Sequence, residues 1–281
     1  MPPERLAELL RVARARLEEA GAGTPALDAR ILLQQATGLT HEAVVAEPER
    51  AMTDDEAMRL SRLIARRAAG EPVSRILGAR EFYGRSFVIA PAVLDPRPET
   101  DVLVEAALGL MAGAENLLDL GTGSGIIAVT LLAERPGSSA TATDLSAEAL
   151  AIAAANARAH GVAERLTLCH GNWFEPVSGR FDLIISNPPY IPLAEIEGLA
   201  REVKDHDPRR ALDGGPDGLD AFRRIAAGAG THLTPQGHVL VEIGAGQEEA
   251  VTAIFKDRGF SPGPRRFDLA GHVRALAFHA P

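Results

Sequence analysis

The spacing of apolar residues divides the chain into a helical beginning and a longer part with alternating elements. Over residues 3–67, leucine and alanine recur every three or four positions, as in LAELLRVARARL, which is the period of a helix with one buried face. Thr24 before Pro25, and Thr53 before a run of acidic residues, are typical helix starts. The pattern therefore predicts a small helical bundle over residues 1–75.

The pattern changes over residues 76–112, where glycine and proline break short apolar and aromatic runs. Gly78 and Gly84 flank the segment AREFY, and several prolines follow. Such punctuation favours a hairpin over a long helix. We expect a hairpin-containing connector that leads into a linking helix at about residues 98–111.

Residues 113–281 alternate between strand candidates and helix candidates. The strand candidates are NLLDL, ATATD, RLTLCH, FDLIIS and GHVLVEIG, with two more short strand patterns around Gly271. Strict alternation of strands and helices implies a parallel sheet with helices on both faces. The predicted fold class is therefore α/β: a Rossmann-like domain with a seven-stranded, mostly parallel sheet and an antiparallel edge, preceded by the all-α bundle.

Charge narrows the possible partners. The net charge is −9, and residues 1–75 carry 11 Lys or Arg against 12 Asp or Glu, so most of the negative charge lies in the rest of the chain. Neither part has the basic stripe of a non-specific nucleic-acid binder. No apolar run is long enough for a membrane helix, so neither nucleic acid nor membrane is an expected partner.

The compartment and the metal content follow from a few residues. The amino terminus lacks the continuous apolar core of a secretory signal. The single cysteine, Cys169, cannot form an internal disulfide, and we expect it to be buried in a strand. The histidines form no HExxH-like spacing. We therefore expect a cytoplasmic protein without a metal site.

The run DLGTGSG, residues 119–125, leaves a predicted strand and enters a predicted helix. Its glycines allow a tight turn and close backbone approach to a ligand. Asp144 ends the next predicted strand, where a carboxylate can accept hydrogen bonds from two ribose hydroxyls or cap the following helix. The glycine spacing departs from the dinucleotide pattern G-x-G-x-x-G, which favours S-adenosylmethionine over a ligand with a pyrophosphate.

The segment HGNWFEP contains Trp173, the only tryptophan of the chain. It follows the third predicted strand, near the crevice where ligands of parallel sheets bind, so its indole can stack on an adenine. A lone tryptophan belongs more often to the core. Both interpretations stay open at this point.

The strand FDLIIS ends in Asn187, Pro188, Pro189 and Tyr190. An amide at the carboxyl end of a parallel strand opens on the ligand crevice, so its hydrogen-bond partner can be a substrate. The prolines have a fixed φ and no N–H donor, which leaves a rigid rim of acceptors. The Asn187 side-chain oxygen and the Pro188 carbonyl can accept both hydrogens of a planar –NH2 group, while Tyr190 stacks on its plane.

This rim favours methyl transfer to the nitrogen of an amide or an aromatic amine. Such a nitrogen is a weak nucleophile because its lone pair is delocalised. Two acceptors that hold its hydrogens, with a sulfonium methyl in line, favour the geometry in which the lone pair points at the methyl carbon. Catalysis then comes from positioning and from stabilising the positive charge that develops on nitrogen, without a strong general base.

DLGTGSG, Asp144, GNWFEP and SNPPY together resemble the protein-glutamine N5-methyltransferase family, and EPVSRILGAREFYG, DPRPETDVLVE, ALDGGPDGLDAFRRI and DLAGHVR extend the resemblance over nearly the whole chain. It implies methyl transfer from S-adenosyl-L-methionine to the side-chain amide nitrogen (N5) of the glutamine in the Gly-Gly-Gln motif of peptide chain release factors. The product of the cofactor is S-adenosyl-L-homocysteine. The resemblance also implies that residues 1–75 help to recognise the release factor.

The resemblance assigns roles to individual residues. The implied cofactor-binding residues are Gly121, Thr122, Gly123, Ser124, Gly125, Asp144, Trp173 and Asn187. The implied substrate-binding residues are Asn187, Pro188, Pro189 and Tyr190, of which Asn187, Pro188 and Tyr190 are the implied catalytic groups. Asn172 departs from the family, which commonly has Asp there, so an amide oxygen without a full charge would accept from the adenine amino group.

Other functions fit part of the pattern. A ribosomal-protein glutamine methyltransferase would use the same chemistry, and the motifs hardly separate it from a release-factor enzyme. An adenine-N6 DNA methyltransferase also uses an NPPY rim, but it needs a basic cleft and a target-recognition region. The charge distribution and the absence of an insertion beside NPPY argue against it. A cofactor-binding module without activity is the non-enzymatic alternative.

Three further positions have more than one interpretation. Arg97 either fastens the connector or orients the substrate, with a slight preference for the structural role. Glu242, at the end of the strand VLVE, is either a site residue or a partner of a helix end. Residues 205–207, with the sequence DHD, cannot all converge on a metal ion in regular structure, so we expect a solvated loop there.

Overall fold

The computed structural model describes residues 5–111 and 115–280, which form two compact units. The first unit comprises Met1–Gly78 and Ala200–His206, and the second comprises Ala79–Leu199 and Asp207–Pro281. The short segment from Ala200 to His206 therefore folds with the amino-terminal helices. No pattern in the sequence announced this excursion.

The bounds of the regular elements are as follows. The α-helices of the described residues are α1 (Leu6–Glu19), α2 (Pro25–Thr37), α3 (His41–Ala46), α4 (Asp54–Ala68), α5 (Val73–Leu77), α6 (Thr100–Leu110), α7 (Ile126–Glu134), α8 (Ala147–Ala159), α9 (Arg201–Lys204), α10 (Asp220–His232) and α11 (Glu248–Lys256). The strands are β1 (Ala79–Phe82), β2 (Arg85–Val88), β3 (Asn116–Leu120), β4 (Ser139–Asp144), β5 (Leu166–His170), β6 (Phe181–Ser186), β7 (Leu233–Glu242), β8 (Ser261–Phe267) and β9 (Val273–His279).

The first unit is the predicted helical bundle. Its core consists of buried apolar side chains from α1, α2 and α4, among them Leu17, Leu32 and Leu60. Helix α4 begins with a capping box, in which the Thr53 hydroxyl accepts from the Glu56 N–H and the Glu56 carboxylate accepts from the Thr53 N–H. These two bonds satisfy donors that a helix start otherwise leaves unpaired.

A buried arginine connects three helices of the first unit. Arg67 of α4 is 5% exposed; its Nε lies 2.6 Å from Asp28 Oδ2 in α2, and its Nη2 lies 2.6 Å from Glu202 Oε1 in α9. The Arg67 guanidinium therefore holds the segment Ala200–His206 against the bundle.

Thr24 is the N-cap residue of α2, but its hydroxyl donates to Asp28 Oδ1 instead of accepting from the helix backbone.

The second unit contains a seven-stranded sheet of order β5-β4-β3-β6-β7-β9-β8. Strands β3 to β7 are parallel, and β9 runs antiparallel to both β7 and β8. The predicted α/β, Rossmann-like fold class with a mostly parallel sheet is thereby confirmed. The expected hairpin forms separately, as the antiparallel pair β1 and β2.

Helices cover both faces of the sheet, which is why most side chains of its central strands are apolar. Side chains of β3 alternate between the two faces, so that Leu117 packs with α6 and α7 and Leu118 packs with α10 and α11. From β3 the chain proceeds to β4 and β5 on one side and then returns to β6 on the other. At such a reversal of strand order, the carboxyl ends of the strands open a crevice for ligands.

Several local expectations are narrowed or corrected. The linking helix begins at Thr100 instead of residue 98, and residues 112–114 lie outside the described residues. Cys169 is only half-buried, because β5 is an edge strand. No helix among the described residues has the length and apolar character that a membrane span requires.

The expected solvated loop at residues 205–207 is also wrong in part. The Asp207 side chain is fully buried, and its Oδ2 lies 2.5 Å from Arg97 Nη2 while its Oδ1 accepts from the Asp95 N–H. Burial is tolerated because the carboxylate has a charged partner and a backbone donor. Arg97 therefore fastens the connector, in line with its preferred structural role.

The buried ion pair of the first unit yields a stability prediction. Arg67→Ala should lower the free energy of unfolding by about 3 kcal/mol or more, because it leaves the Asp28 carboxylate buried without a charged partner. The matched control is Arg66→Ala, since the Arg66 guanidinium pairs with Glu71 nearer the surface; the expected loss is below about 1 kcal/mol. Urea denaturation followed by circular dichroism measures both, and equal losses would contradict the assignment.

Candidate active site

A cavity of about 180 Å³ lies in the second unit at the carboxyl ends of β3, β4, β5 and β6. The predicted site residues that line it are Gly121, Thr122, Gly123, Ser124, Asp144, Trp173, Asn187 and Pro189. Gly125, Pro188 and Tyr190 adjoin these residues in the chain but are not among the described residues of the cavity wall. The fold therefore brings the glycine loop, the acidic strand end and the NPPY segment to one place.

The glycine loop between β3 and α7 has a left-handed backbone. The φ angles of Gly121, Gly123 and Gly125 are 72°, 57° and 77°, values that residues with a Cβ rarely adopt. A Cβ at Gly125 would lie 2.9 Å from the Cβ of Ala153, whereas one at Gly121 or Gly123 would meet nothing within 4 Å. The third glycine thus permits helix packing, and the first two leave open space beside the backbone for a ligand.

The Asp144 carboxylate accepts hydrogen bonds from two backbone N–H groups. Its Oδ2 accepts from the Gly123 N–H and its Oδ1 accepts from the Ser146 N–H, each at 2.8 Å. The cap of α8 is Ser146, whose Oγ accepts from the Ala149 N–H at 3.2 Å. Asp144 is therefore not needed as a side-chain cap, and each of its oxygens retains a lone pair for a further donor such as a ribose hydroxyl.

Trp173 belongs to the core and also lines the cavity. Its indole packs against the core on the α10 and α11 face. Its φ is 52°, a left-handed value for a residue with a large side chain, which costs on the order of 1–3 kcal/mol and persists only where the surroundings impose it. The indole reaches the cavity wall, where it can contact an aromatic ligand.

The NPPY segment is held in place by contacts on both sides. The Asn187 Nδ2 donates a long hydrogen bond of 3.4 Å to Thr100 Oγ1, and the Tyr190 carbonyl accepts from Gln247 Nε2 at 2.9 Å. Burial, together with the nearby Glu242 carboxylate, raises the pKa of Tyr190 to about 12. The phenol therefore stays protonated at neutral pH and offers an uncharged ring beside the rim.

Two buried carboxyl groups interact with residues of the cavity wall. Asp119 in β3 is 1% exposed, and its Oδ2 accepts from the Thr122 hydroxyl at 2.6 Å. Burial raises the pKa of Asp119 to about 7, an effect that the hydrogen bond from Thr122 opposes. Burial likewise raises the pKa of Glu242 to about 7, against hydrogen bonds from Thr100 and Asn187. Both groups titrate in the neutral range because the fold denies them water.

Some residues of the cavity wall were missed by the sequence. Leu145, directly after Asp144, is 61% exposed and lines the cavity. Arg210 reaches the wall from the short 3-10 helix Arg209–Ala211, with its Nη2 2.8 Å from Ser146 Oγ and 3.4 Å from the Ala92 carbonyl. No local pattern marks Arg210, because its neighbours in the cavity come from remote parts of the chain. Leu145 could have been found in the sequence, because it is an apolar residue between a predicted strand and a predicted helix and belongs to the buried face of neither.

The residues present fit a nucleoside with an attached amino-acid chain. The open space at Gly121 and Gly123 admits a close ligand, Asp144 supplies acceptors, and Leu145 and Trp173 supply apolar surface. Within the described residues, Arg210 is the one cationic side chain of the wall, and the glycine loop lacks the G-x-G-x-x-G spacing of a pyrophosphate-binding turn. This donor and acceptor set suits S-adenosylmethionine better than a dinucleotide.

Comparison with known proteins gives consistent relatives. Residues 8–78 match the model of the PrmC N-terminal domain, and residues 92–202 match the methyltransferase small domain. The chain is 46% identical to the release factor glutamine methyltransferase of Agrobacterium fabrum, over 97% of this chain and 96% of that protein. It is 47% identical to the protein of the same name from Cereibacter sphaeroides, over 99% of both chains.

Solved structures with a similar fold are methyltransferases of low sequence identity. A methyltransferase from Pyrococcus furiosus superposes with a TM-score of 0.54 at 19% identity, covering 78% of this chain and 98% of that one. The tRNA m1G37 methyltransferase of M. jannaschii has a TM-score of 0.51 at 12% identity, covering 72% of this chain and 56% of that one. At these identities the likeness establishes the fold alone.

The buried carboxyl group of Asp119 yields a prediction on pH and stability. Its pKa rises from 3.8 to about 7 in the folded protein, so between these values the folded state holds a proton that the unfolded chain releases. The free energy of unfolding should therefore decrease as the pH rises from about 4 to about 7. Asp119→Asn should make this decrease shallower, as measured by urea denaturation across that range.

A second variant tests the same titration from the opposite direction. Thr122→Val removes the hydrogen bond that favours the Asp119 carboxylate, so the decrease in stability should extend to higher pH than in the wild type. A pH dependence that neither Asp119→Asn nor Thr122→Val alters would contradict the assignment.

Proposed function

Because the chain belongs to the release factor glutamine methyltransferase family, we propose that it transfers a methyl group from S-adenosylmethionine to the N5 nitrogen of the glutamine in the Gly-Gly-Gln motif of peptide chain release factors. One observation carries the proposal: Asn187 lines the same cavity as the glycine loop and Asp144. A nucleoside site and an acceptor rim for an –NH2 group thus share one enclosed space.

Residues on three loops would hold the cofactor. The backbone of Gly121–Gly125 approaches the amino-acid part, Asp144 accepts from the ribose, and Trp173 provides apolar contact for the adenine, with Asn172 as an acceptor for its amino group. When bound, S-adenosylmethionine supplies a methyl group activated by a positively charged sulfur. The wall contributes few charges of its own, so the sulfonium meets little electrostatic repulsion.

The rim would position the glutamine amide. The Asn187 Oδ1 and the Pro188 carbonyl accept its two hydrogens, while Pro189 fixes the backbone and Tyr190 packs on the amide plane. Fixed acceptors favour the nitrogen as it gains positive charge, because they need no reorganisation at the moment of reaction. A protonated Tyr190 is suited to this role, since it adds no charge that would require compensation.

The matches to the two family models support the domain roles that we propose. Residues 1–75 form the part that would recognise the release factor, residues 76–112 form the connector, and residues 113–281 form the methyltransferase domain. A partner in translation supports a cytoplasmic location, which we propose together with the substrate. A ribosomal-protein glutamine substrate is the second candidate, because the rim recognises the amide and not the protein that carries it.

The proposal predicts a site-specific modification. The purified protein, incubated with S-adenosylmethionine and a release factor, should add one methyl group to the Gly-Gly-Gln glutamine, as located by tandem mass spectrometry after digestion. Asn187→Ala should lower kcat/KM by about 100-fold or more, because it removes an acceptor that stabilises the transition state. Binding of S-adenosylhomocysteine, measured by calorimetry, should persist if the loss lies in the chemical step.

A matched control uses the same substitution at the amino ends of the strands, on the side of the sheet away from the cavity. Asn116→Ala lies at the amino end of β3, where its side chain bonds to the Arg180 carbonyl at the surface, and it should leave kcat/KM unchanged. A methylated ribosomal protein beside an unmodified release factor would replace the proposed substrate by the second candidate. Full activity of Asn187→Ala would refute the role of the rim.

A further inference from the structure

The sequence left Glu242 without a role, and its position in the sheet suggests one. Strands β6 and β7 are parallel neighbours with Ser186 opposite Val241, so the next residues, Asn187 and Glu242, leave their strands side by side. Glu242 is 2% exposed. A carboxyl group is therefore buried directly behind the amide that lines the cavity.

The contacts of Glu242 converge on Asn187 and Thr100. Hydrogen bonds from both side chains favour its carboxylate form, and Asn187 Nδ2 also donates to Thr100 Oγ1 at 3.4 Å. The second oxygen, Glu242 Oε2, is buried and has no hydrogen-bond partner among the described residues. These contacts surround the nitrogen of the Asn187 amide with acceptors.

The charged groups around Glu242 come from every neighbouring element. Arg274 on β9 favours the carboxylate, whereas Glu99, just before α6, opposes it. Tyr190, after β6, is an uncharged neighbour whose pKa is raised chiefly by burial and also by Glu242 and Glu99, against the effects of Arg274 and Arg97. Desolvation outweighs these effects on Glu242, so its pKa lies at about 7.

The oxygen and the –NH2 group of an asparagine amide are similar in shape, but the oxygen accepts hydrogen bonds and the –NH2 group donates them. An ionised carboxylate only accepts hydrogen bonds, so the atom of Asn187 that faces Glu242 must be Nδ2, and Oδ1 must then face the cavity. We propose that Glu242, with Thr100, is a positioning residue that fixes the Asn187 amide with its oxygen toward the substrate –NH2 group. This inference rests on the proposed function, because it concerns how that same rim accepts the substrate.

A role in folding alone accounts poorly for Glu242. A helix-end role is filled by another residue, since Gln247 Oε1 accepts from the Gly244 N–H ahead of α11. Burying a carboxyl group with one unpaired oxygen is costly, so Glu242 lowers the free energy of unfolding as the pH rises from its ordinary pKa of 4.5 to about 7. A neutral isostere should therefore improve stability at alkaline pH while it loses the orientation of Asn187.

The test compares Glu242→Gln with the wild type at several pH values. The wild-type kcat should rise as the pH passes about 7, where Glu242 ionises. In Glu242→Gln this step should vanish and kcat should fall at least about tenfold, because a glutamine amide can face Asn187 with either polarity. The affinity for S-adenosylhomocysteine, measured by calorimetry, should stay unchanged, and the thermal midpoint at about pH 8 should not decrease.

Two more variants complete the design. Glu242→Asp keeps the charge and should recover part of kcat together with the pH step, which also serves if Glu242→Gln fails to fold. Glu248→Gln, on the surface of α11 where Glu248 pairs with Arg265, is the matched control and should leave both unchanged.

The outcomes separate the two proposals. An active wild type beside a Glu242→Gln protein with the same kcat and pH profile would overturn the role of Glu242 and leave the proposed function intact. An equal loss in Glu242→Gln and Glu242→Asp, without any pH step in the wild type, would also overturn it. A wild type that methylates neither a release factor nor a ribosomal protein would refute the proposed function and this inference with it.

Discussion

The structure depends on the parallel pairing of β3 with β4 on one side and β6 on the other. Only this arrangement brings the three carboxyl ends, and with them the glycine loop, Asp144 and Asn187, to one cavity. The constraint is strict because each strand is buried and a shift of one residue would exchange its two faces. The apolar runs of β3 and β6 therefore position the site as much as the polar residues at their ends.

The cavity combines features that oppose stability. Trp173 has a left-handed backbone, Asp119 and Glu242 are carboxyl groups removed from water, and the glycines of the loop increase the entropy of the unfolded chain. None of these is required to close the sheet, whose core is formed by aliphatic and aromatic side chains on both faces. Such costly features cluster at functional sites, so their grouping at the carboxyl ends of the strands is what we expect of a ligand-binding site.

The sequence predicted the sheet well because its evidence was local: strand periodicity, helix starts and the glycine loop are each written in a few adjacent residues. It failed where the cause was remote. The burial of Asp207 depends on Arg97, the place of Arg210 depends on Ser146, and the edge position of Cys169 depends on strand order. The role of Glu242 was equally undetermined, because only the β6 and β7 register sets it beside Asn187.

The two acceptors that we propose for the rim differ in how they are fixed, which gives a buried carboxyl group a place there. The Pro188 carbonyl belongs to a backbone that two prolines restrict, so its direction follows from the chain itself. The Asn187 amide can rotate about its side-chain bonds, and its oxygen and nitrogen exchange places at little steric cost. The ionised Glu242 carboxylate only accepts hydrogen bonds, so it favours the orientation in which the Asn187 nitrogen faces it. The Asn187 oxygen then faces the substrate, although the substrate never contacts the charge on Glu242.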